Sequence, residues 1–105
     1  MARTLIKLAC GIIHTAEFAD YIRQVHEREA RRHPHEVLSV DYLRFATGEK
    51  KGTEWWQLSW GPQQSAPVAY RHRIGEVEVF VHRQSQRGLR NRCLHCEGGK
   101  VVVMA

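Results

Sequence analysis

The stretch TAEFADYIRQVHEREARRHP, Thr15 to Pro34, decides the fold because its apolar residues recur at helical spacing. Phe18, Ile22 and Val25, with Tyr21, line up on one face of a helix expected from Ala16 to Arg32. Thr15 stands where an N-cap belongs, and Glu17 and Asp20 lie near the positive end of the helix dipole. Pro34 ends the helix, since the residue before a proline is steered out of the αR region.

On either side of this segment the period changes to two. TLIKLACGII (4–13) alternates Leu5, Lys7 and Ala9 against Ile6, Leu8 and Cys10, and predicts a first, buried or half-buried strand. VLSVDYLRFA (37–46) and EWWQLSWG (54–61) predict a hairpin around the polar turn TGEKKGT. In its second strand Trp56, Leu58 and Trp60 share one face, and Trp55, Gln57 and Ser59 the other. GPQQSAP (61–67) reads as a loop. VAYRHRI (68–74) and EVEVFVHR (76–83) follow, either as one bent strand or as two parted at Gly75. QSQRGLR (84–90) is open between a loop and a short helix, and CLHC, an EGG turn and KVVVMA (100–105) predict a terminal hairpin.

The resulting order is β-α-β-β-β-β-β. It predicts an α+β fold with an antiparallel sheet of about five to six strands, covered on one face by a single main helix. The other sheet face is then solvated or covered by a second copy, so a homodimer is expected. At 105 residues the chain is expected to be one domain, 1–105. With 43% hydrophobic and 26% charged residues it reads as a soluble globular protein. No apolar run approaches the ~20 residues of a membrane helix, and no signal-peptide pattern is read, so a cytoplasmic location away from membranes is expected.

The formal net charge is +5, carried by twelve Arg and four Lys. Arginine's planar guanidinium suits bidentate recognition of phosphate and carboxylate, which points to an anionic partner, nucleic acid or an acidic protein. The candidate residues are Arg71, Arg73, Arg83, Arg87, Arg90 and Arg92, crowded into a segment whose carboxylates are only Glu76 and Glu78. Trp55, opposite the Trp56/Trp60 face, is the candidate stacking surface for an exposed base. A second basic cluster, Arg28, Arg31, Arg32 and His33, suits the negative end of the helix dipole and needs no ligand.

Three cysteines, an odd number, argue against a disulfide framework. In RCLHCEGGK (92–100) the pair Cys93 and Cys96 has the spacing of half a zinc site. Cys10 and His14 would complete a Cys₃His site if the first and last strands are neighbours, with His95 and His82 as substitutes for the fourth ligand. Against this, Cys93 and Cys96 point to opposite faces if the segment is a strand. The cofactor expectation is therefore none, or a structural zinc ion.

Catalysis requires converging groups, and local spacing places no nucleophile beside any of the seven histidines. A deep pocket holding two or more of His26, His72, His82 and Glu78 would favour an enzyme. The leading expectation is a small non-catalytic binding protein with an arginine-rich surface for nucleic acid or an acidic protein. The alternatives are a small enzyme or ligand-binding domain with a His/Glu-lined pocket between helix and sheet, and a zinc-stabilised structural or adaptor module.

Overall fold

The apolar run at 4–13 does not form one strand. Gly11, at a φ of +96° that a side chain rarely adopts, turns the chain back on itself. The turn is closed by Leu8 N–H donating to Ile12 O (2.8 Å) and Gly11 N–H to Leu8 O (2.9 Å). Two short antiparallel strands result, β1 (Leu5–Lys7) and β2 (Ile13–Thr15). A computed structural model describes residues 4–45, 47–62 and 67–104 of the chain. Ala46, residues 63–66 of the expected loop 61–67, and Ala105 of the expected last strand lie outside the described residues.

Helix α1 (Ala16–Glu29) follows β2 directly. Thr15 is its N-cap: the hydroxyl accepts the Phe18 N–H at 3.2 Å. A 3₁₀ turn, Ala30–Arg32, carries the chain to Pro34. Then come β3 (Glu36–Arg44), β4 (Glu54–Pro62), a 3₁₀ turn at Val68–Tyr70, β5 (Arg71–Ile74) and β6 (Val77–Val81). A second helix, α2 (Arg83–Leu89), precedes β7 (Cys93–Glu97) and β8 (Lys100–Met104).

The strands form two sheets of four, ordered β1-β2-β7-β8 and β4-β3-β6-β5. Each sheet is a pair of antiparallel hairpins joined side by side through a parallel pair of inner strands, β2 with β7 and β3 with β6. The expected single antiparallel sheet under one helix is thereby corrected to an α+β fold with two sheets and two helices. The reason is physical. The first and last hairpins pair with each other across the length of the chain, which withdraws them from the sheet that the middle hairpins make. Local alternation reports strands and the turns between them, but not which hairpins adjoin.

One apolar cluster joins these layers. Phe18, Ile22 and Val25 of α1 pack with Ile12 and Leu94 of the first sheet and with Leu38, Val40, Val79 and Val81 of the second. Helix α1 touches β2, β7 and β6, so both sheets lean on it. Thr15 ties the layers further, because its hydroxyl lies 2.9 Å from Nδ1 of His95 on β7, itself buried. Trp56, Leu58 and Trp60 border the cluster half-buried, on the expected face.

Strand β3 is longer than its parallel partner. Strand β6 matches it only at Leu38, Ser39 and Val40, and beyond that point α2 takes the place of a strand. The Ser85 hydroxyl accepts the Tyr42 N–H at 3.0 Å and lies 3.5 Å from the Tyr42 carbonyl, so one side chain serves the backbone that β6 leaves open. Gly88 allows the close approach this requires: a Cβ there would meet two ring carbons of Tyr42 at 2.6 Å.

Two substitutions test this joint. Ser85→Ala leaves the buried Tyr42 N–H without its partner and is expected to cost about 1–3 kcal/mol in urea unfolding. Gly88→Ala, which in an exposed helix would gain up to about 1 kcal/mol of propensity, is expected to destabilise because the methyl group meets the Tyr42 ring. A neutral Ser85→Ala or a stabilised Gly88→Ala would contradict the packing of α2 on β3.

Candidate anion-binding cleft

Within α2 the residues divide by face. Ser85 and Leu89 are buried towards β3 and the core, whereas Arg83, Arg87 and Arg90, at i, i+4 and i+7, run along the solvent side just to the end of the helix. Those three arginines line a cleft of about 230 Å³ together with Gln86, Tyr70 and Cys10. Three separate segments build it: α2, the turn between β1 and β2, and the 3₁₀ turn before β5.

Local geometry holds each wall in place. The Asn91 N–H donates to Gly11 O at 3.0 Å, fastening the Cys10–Gly11 turn to the end of α2. The stem of Arg90 lies across Gly11, where a Cβ would come within 3.2 Å of its Cγ. Gln86 is anchored inward, its amide donating to Val81 O at 3.0 Å and lying 3.2 Å from Nε2 of His72. His82 caps α2, with Nδ1 accepting the Gln84 N–H at 3.3 Å. Among the described residues no carboxylate forms an ion pair with Arg83, Arg87 or Arg90. Three exposed guanidiniums therefore face one small cleft without a counter-charge among the described residues.

The six arginines expected to act together are divided by the structure. Arg83, Arg87 and Arg90 converge. Arg92 is turned away and engaged: its guanidinium donates to the Tyr42 hydroxyl at 2.6 Å and forms an ion pair with Glu54. The hydrogen bond that Arg92 donates to Glu54 Oε1 holds the Glu54 carboxyl below the ordinary glutamate range, while burial pushes the Tyr42 hydroxyl up. Arg71 pairs with Glu78 at 3.7 Å, and Arg73 stands exposed on β5 directly across from the same Glu78. Trp55 is 45% exposed on β4, at the opposite edge of that sheet from β5. Three strand spacings, about 14 Å, separate those edges, so Trp55 and the β5 arginines do not form one surface.

The proposed zinc ligands are also placed. Strand β2 does adjoin β7, with Ile13 beside Cys93 and His14 beside Leu94. Cys93 and Cys96 nevertheless point to opposite faces of β7, and Cys10 faces the arginine cleft. His14 is fully buried against Phe18, its Nδ1 3.0 Å from Thr15 O and its Nε2 without a hydrogen-bond partner. Among the described residues no three of His, Cys, Asp and Glu are grouped so as to hold a metal ion.

Of the four residues relevant to an enzyme, His26 and Glu78 share one depression with Glu36 and Trp60, and His72 shares another with Glu78. The carboxylates there are already partnered. Glu36 lies 2.8 Å from Nδ1 of His33, a ring stacked 4.7 Å from Trp60, and Glu78 pairs with Arg71.

Sequence reasoning missed Tyr70 and Gln86 as lining residues, and it missed Cys10 as part of this cleft rather than a metal site. The signal for Gln86 was present in the i, i+3, i+4, i+7 spacing of Arg83, Gln86, Arg87 and Arg90. Nothing local announces Tyr70 or Cys10, which arrive from distant segments. A scan against family models, a search of curated proteins and a search of solved structures each return no match to this chain. No helix among the described residues is long and apolar enough to cross a membrane.

Burial pushes His72 below the ordinary imidazole value of about 6.5. The folded protein then binds that proton less readily than the unfolded chain does. Its contribution to stability is complete above about pH 6.5 and is lost as pH falls from there through the folded value. The His72 ring resonances are expected to titrate with a midpoint below 6.5 in an NMR pH series. A midpoint above 6.5 would show that the ring is not desolvated beside Gln86.

Proposed function

We propose that this protein binds nucleic acid, gripping backbone phosphates in the cleft of Arg83, Arg87 and Arg90. What supports the reading is the convergence of three guanidiniums with no carboxylate paired to them among the described residues. Like charges held along one exposed helix face repel, by about 0.2–0.5 kcal/mol per i, i+4 pair. A bound phosphate reverses the sign of that interaction, and guanidinium forks match phosphate oxygens two at a time. Arg71 and Arg92, each with a carboxylate beside it, have less to gain from such a ligand. The Arg-rich composition and net charge of +5 add a longer-range attraction for a polyanion.

The binding is expected to weaken with salt, because each phosphate contact releases condensed counterions. Three contacts on a single strand correspond to a slope of about −2 in log affinity against log salt, or roughly a 15- to 20-fold loss between 50 and 200 mM. Fluorescence anisotropy with a labelled oligonucleotide reads this directly. Arg87→Ala is expected to weaken binding and make the slope shallower by about 0.7, and Arg87→Glu to abolish binding. Affinity that stays flat over that salt range would overturn the reading.

A further inference from the structure

We infer that the free edge of β4 is a dimer interface, where two copies of this chain pair antiparallel about Leu58 into one continuous eight-stranded sheet. The inference is independent of the phosphate reading. Strand β4 lies at the edge of its sheet, and all of its residues, Glu54–Pro62, are in register with β3. Its outward backbone groups can be identified. Phe45 N–H donates to Thr53 O at 3.1 Å, one step beyond the Arg44–Glu54 pair, and bonded pairs alternate along an antiparallel ladder. Trp55, Gln57, Ser59 and Gly61 therefore bond to β3, while Glu54, Trp56, Leu58 and Trp60 turn their N–H and C=O outward. Tyr42 agrees with this: it stands opposite Trp56, and its own N–H points out of the ladder, to Ser85. Among the described residues no strand takes up the outward groups of β4.

An open edge is a template for another strand, and folds blunt such edges by keeping them short and placing Lys or Arg on them. The other three edges follow that rule. Strand β1 has three residues including Lys7, β5 has four including Arg71 and Arg73, and β8 has five including Lys100. Strand β4 is the longest of the four edges and holds neither Lys nor Arg. Its sequence, EWWQLSWGP, also complements its own reverse. Pairing about Leu58 sets the two Leu58 residues together, each Trp56 opposite a Trp60 and each Trp55 opposite a Gly61. The outward-facing residues then meet as bonded pairs, with the Pro62 carbonyl accepting from Glu54 at each end. Trp56, Leu58 and Trp60, half-buried on the core side, gain cover from their counterparts. Trp55, 45% exposed, lies across Gly61, where nothing stands within 4 Å of a Cβ position; an aromatic ring over an edge glycine pins register. Glu54, the only charged residue of the strand, faces Pro62 and is paired with Arg92 of its own chain. No like charges meet, and the edges left over are the short basic ones, so association stops at two copies.

The test is sedimentation velocity of the full chain, without nucleic acid, from micromolar to several hundred micromolar, with amide exchange followed by NMR at both ends of that range. A concentration-dependent dimer is expected, with the Trp56, Leu58 and Trp60 amides exchanging about tenfold or more slowly at the high end. The Gln57 and Ser59 amides, bonded to β3 within one chain, should already be protected at the low end, and they report that the hairpin is folded. Trp55→Lys puts a cation on the edge in place of the ring over Gly61. It is expected to weaken the dimer about tenfold or more while Gln57 and Ser59 keep their protection. Leu58→Pro, which removes one outward N–H and no bond to β3, should do the same. Arg87→Ala should leave the dimer unchanged, which separates this interface from the arginine cleft. A chain that stays monomeric throughout would overturn the inference, as would a dimer whose Trp56, Leu58 and Trp60 amides exchange as fast as in the monomer. A dimer of undiminished strength in Trp55→Lys would overturn the register about Leu58.

Discussion

The backbone of Tyr42 sets the position of everything that matters at the cleft. Strand β3 continues past the point where β6 stops, and a buried N–H without an acceptor costs on the order of 1–3 kcal/mol. A further strand residue would have satisfied it. Instead the chain turns at His82, and α2 arrives with Ser85 under the open N–H. Once Ser85 is held there and Gly88 lies against the Tyr42 ring, the helix has no freedom to rotate about its axis. The opposite face, with Arg83, Arg87 and Arg90, must then point outward. The tyrosine also carries Arg92 on its hydroxyl, so one residue orders the helix by its backbone and an arginine outside it by its side chain.

That division of the arginines separates structural from available charge. An exposed ion pair such as Arg23 with Asp20 and Glu27 contributes little, about 0–1 kcal/mol, but it does settle where the charges point. Arg92 with Glu54 and Arg71 with Glu78 are settled in the same way. The three on α2 are not, and their placement along one side of a seven-residue helix is unfavourable for an isolated segment. The helix persists because its other side is packed.

Much of the local structure was legible in the sequence. The helical spacing of Phe18, Ile22 and Val25 and the cap at Thr15 gave α1, and period-two alternation gave the β3–β4 and β7–β8 hairpins, while leaving β5 and β6 open between one bent strand and two. The pairing of hairpins was not legible, because the parallel contacts β2–β7 and β3–β6 join residues far apart in the chain and leave no local period. Helix α2 was obscured for a different reason. It has a glycine one residue from its end and a histidine as its cap, both weak helix signals, and each is explained only by what lies across from it. The arginines were read as one group of candidates, but proximity in sequence overstated their proximity in space. Gly11 shows the same limit in reverse. Its positive φ splits the expected first strand, and the resulting turn carries Cys10 from a presumed core position to the wall of the cleft.

The aromatic residues follow this logic one step further. Sequence composition draws attention to the three tryptophans, and Trp55 is indeed exposed. Yet an aromatic ring is useful to a phosphate-binding cleft only if a base can reach it while its phosphate stays on the arginines, a matter of one nucleotide's length. Trp55 lies at the far edge of its sheet, whereas Tyr70 lines the cleft and His82 caps the helix that bears the arginines. These two come together because β5 and β6 are antiparallel neighbours, so the residue entering β5 and the residue leaving β6 meet at the same end of the hairpin. That end is also where α2 begins. Hairpin register thus places the Tyr70 ring beside the arginine-bearing face of α2.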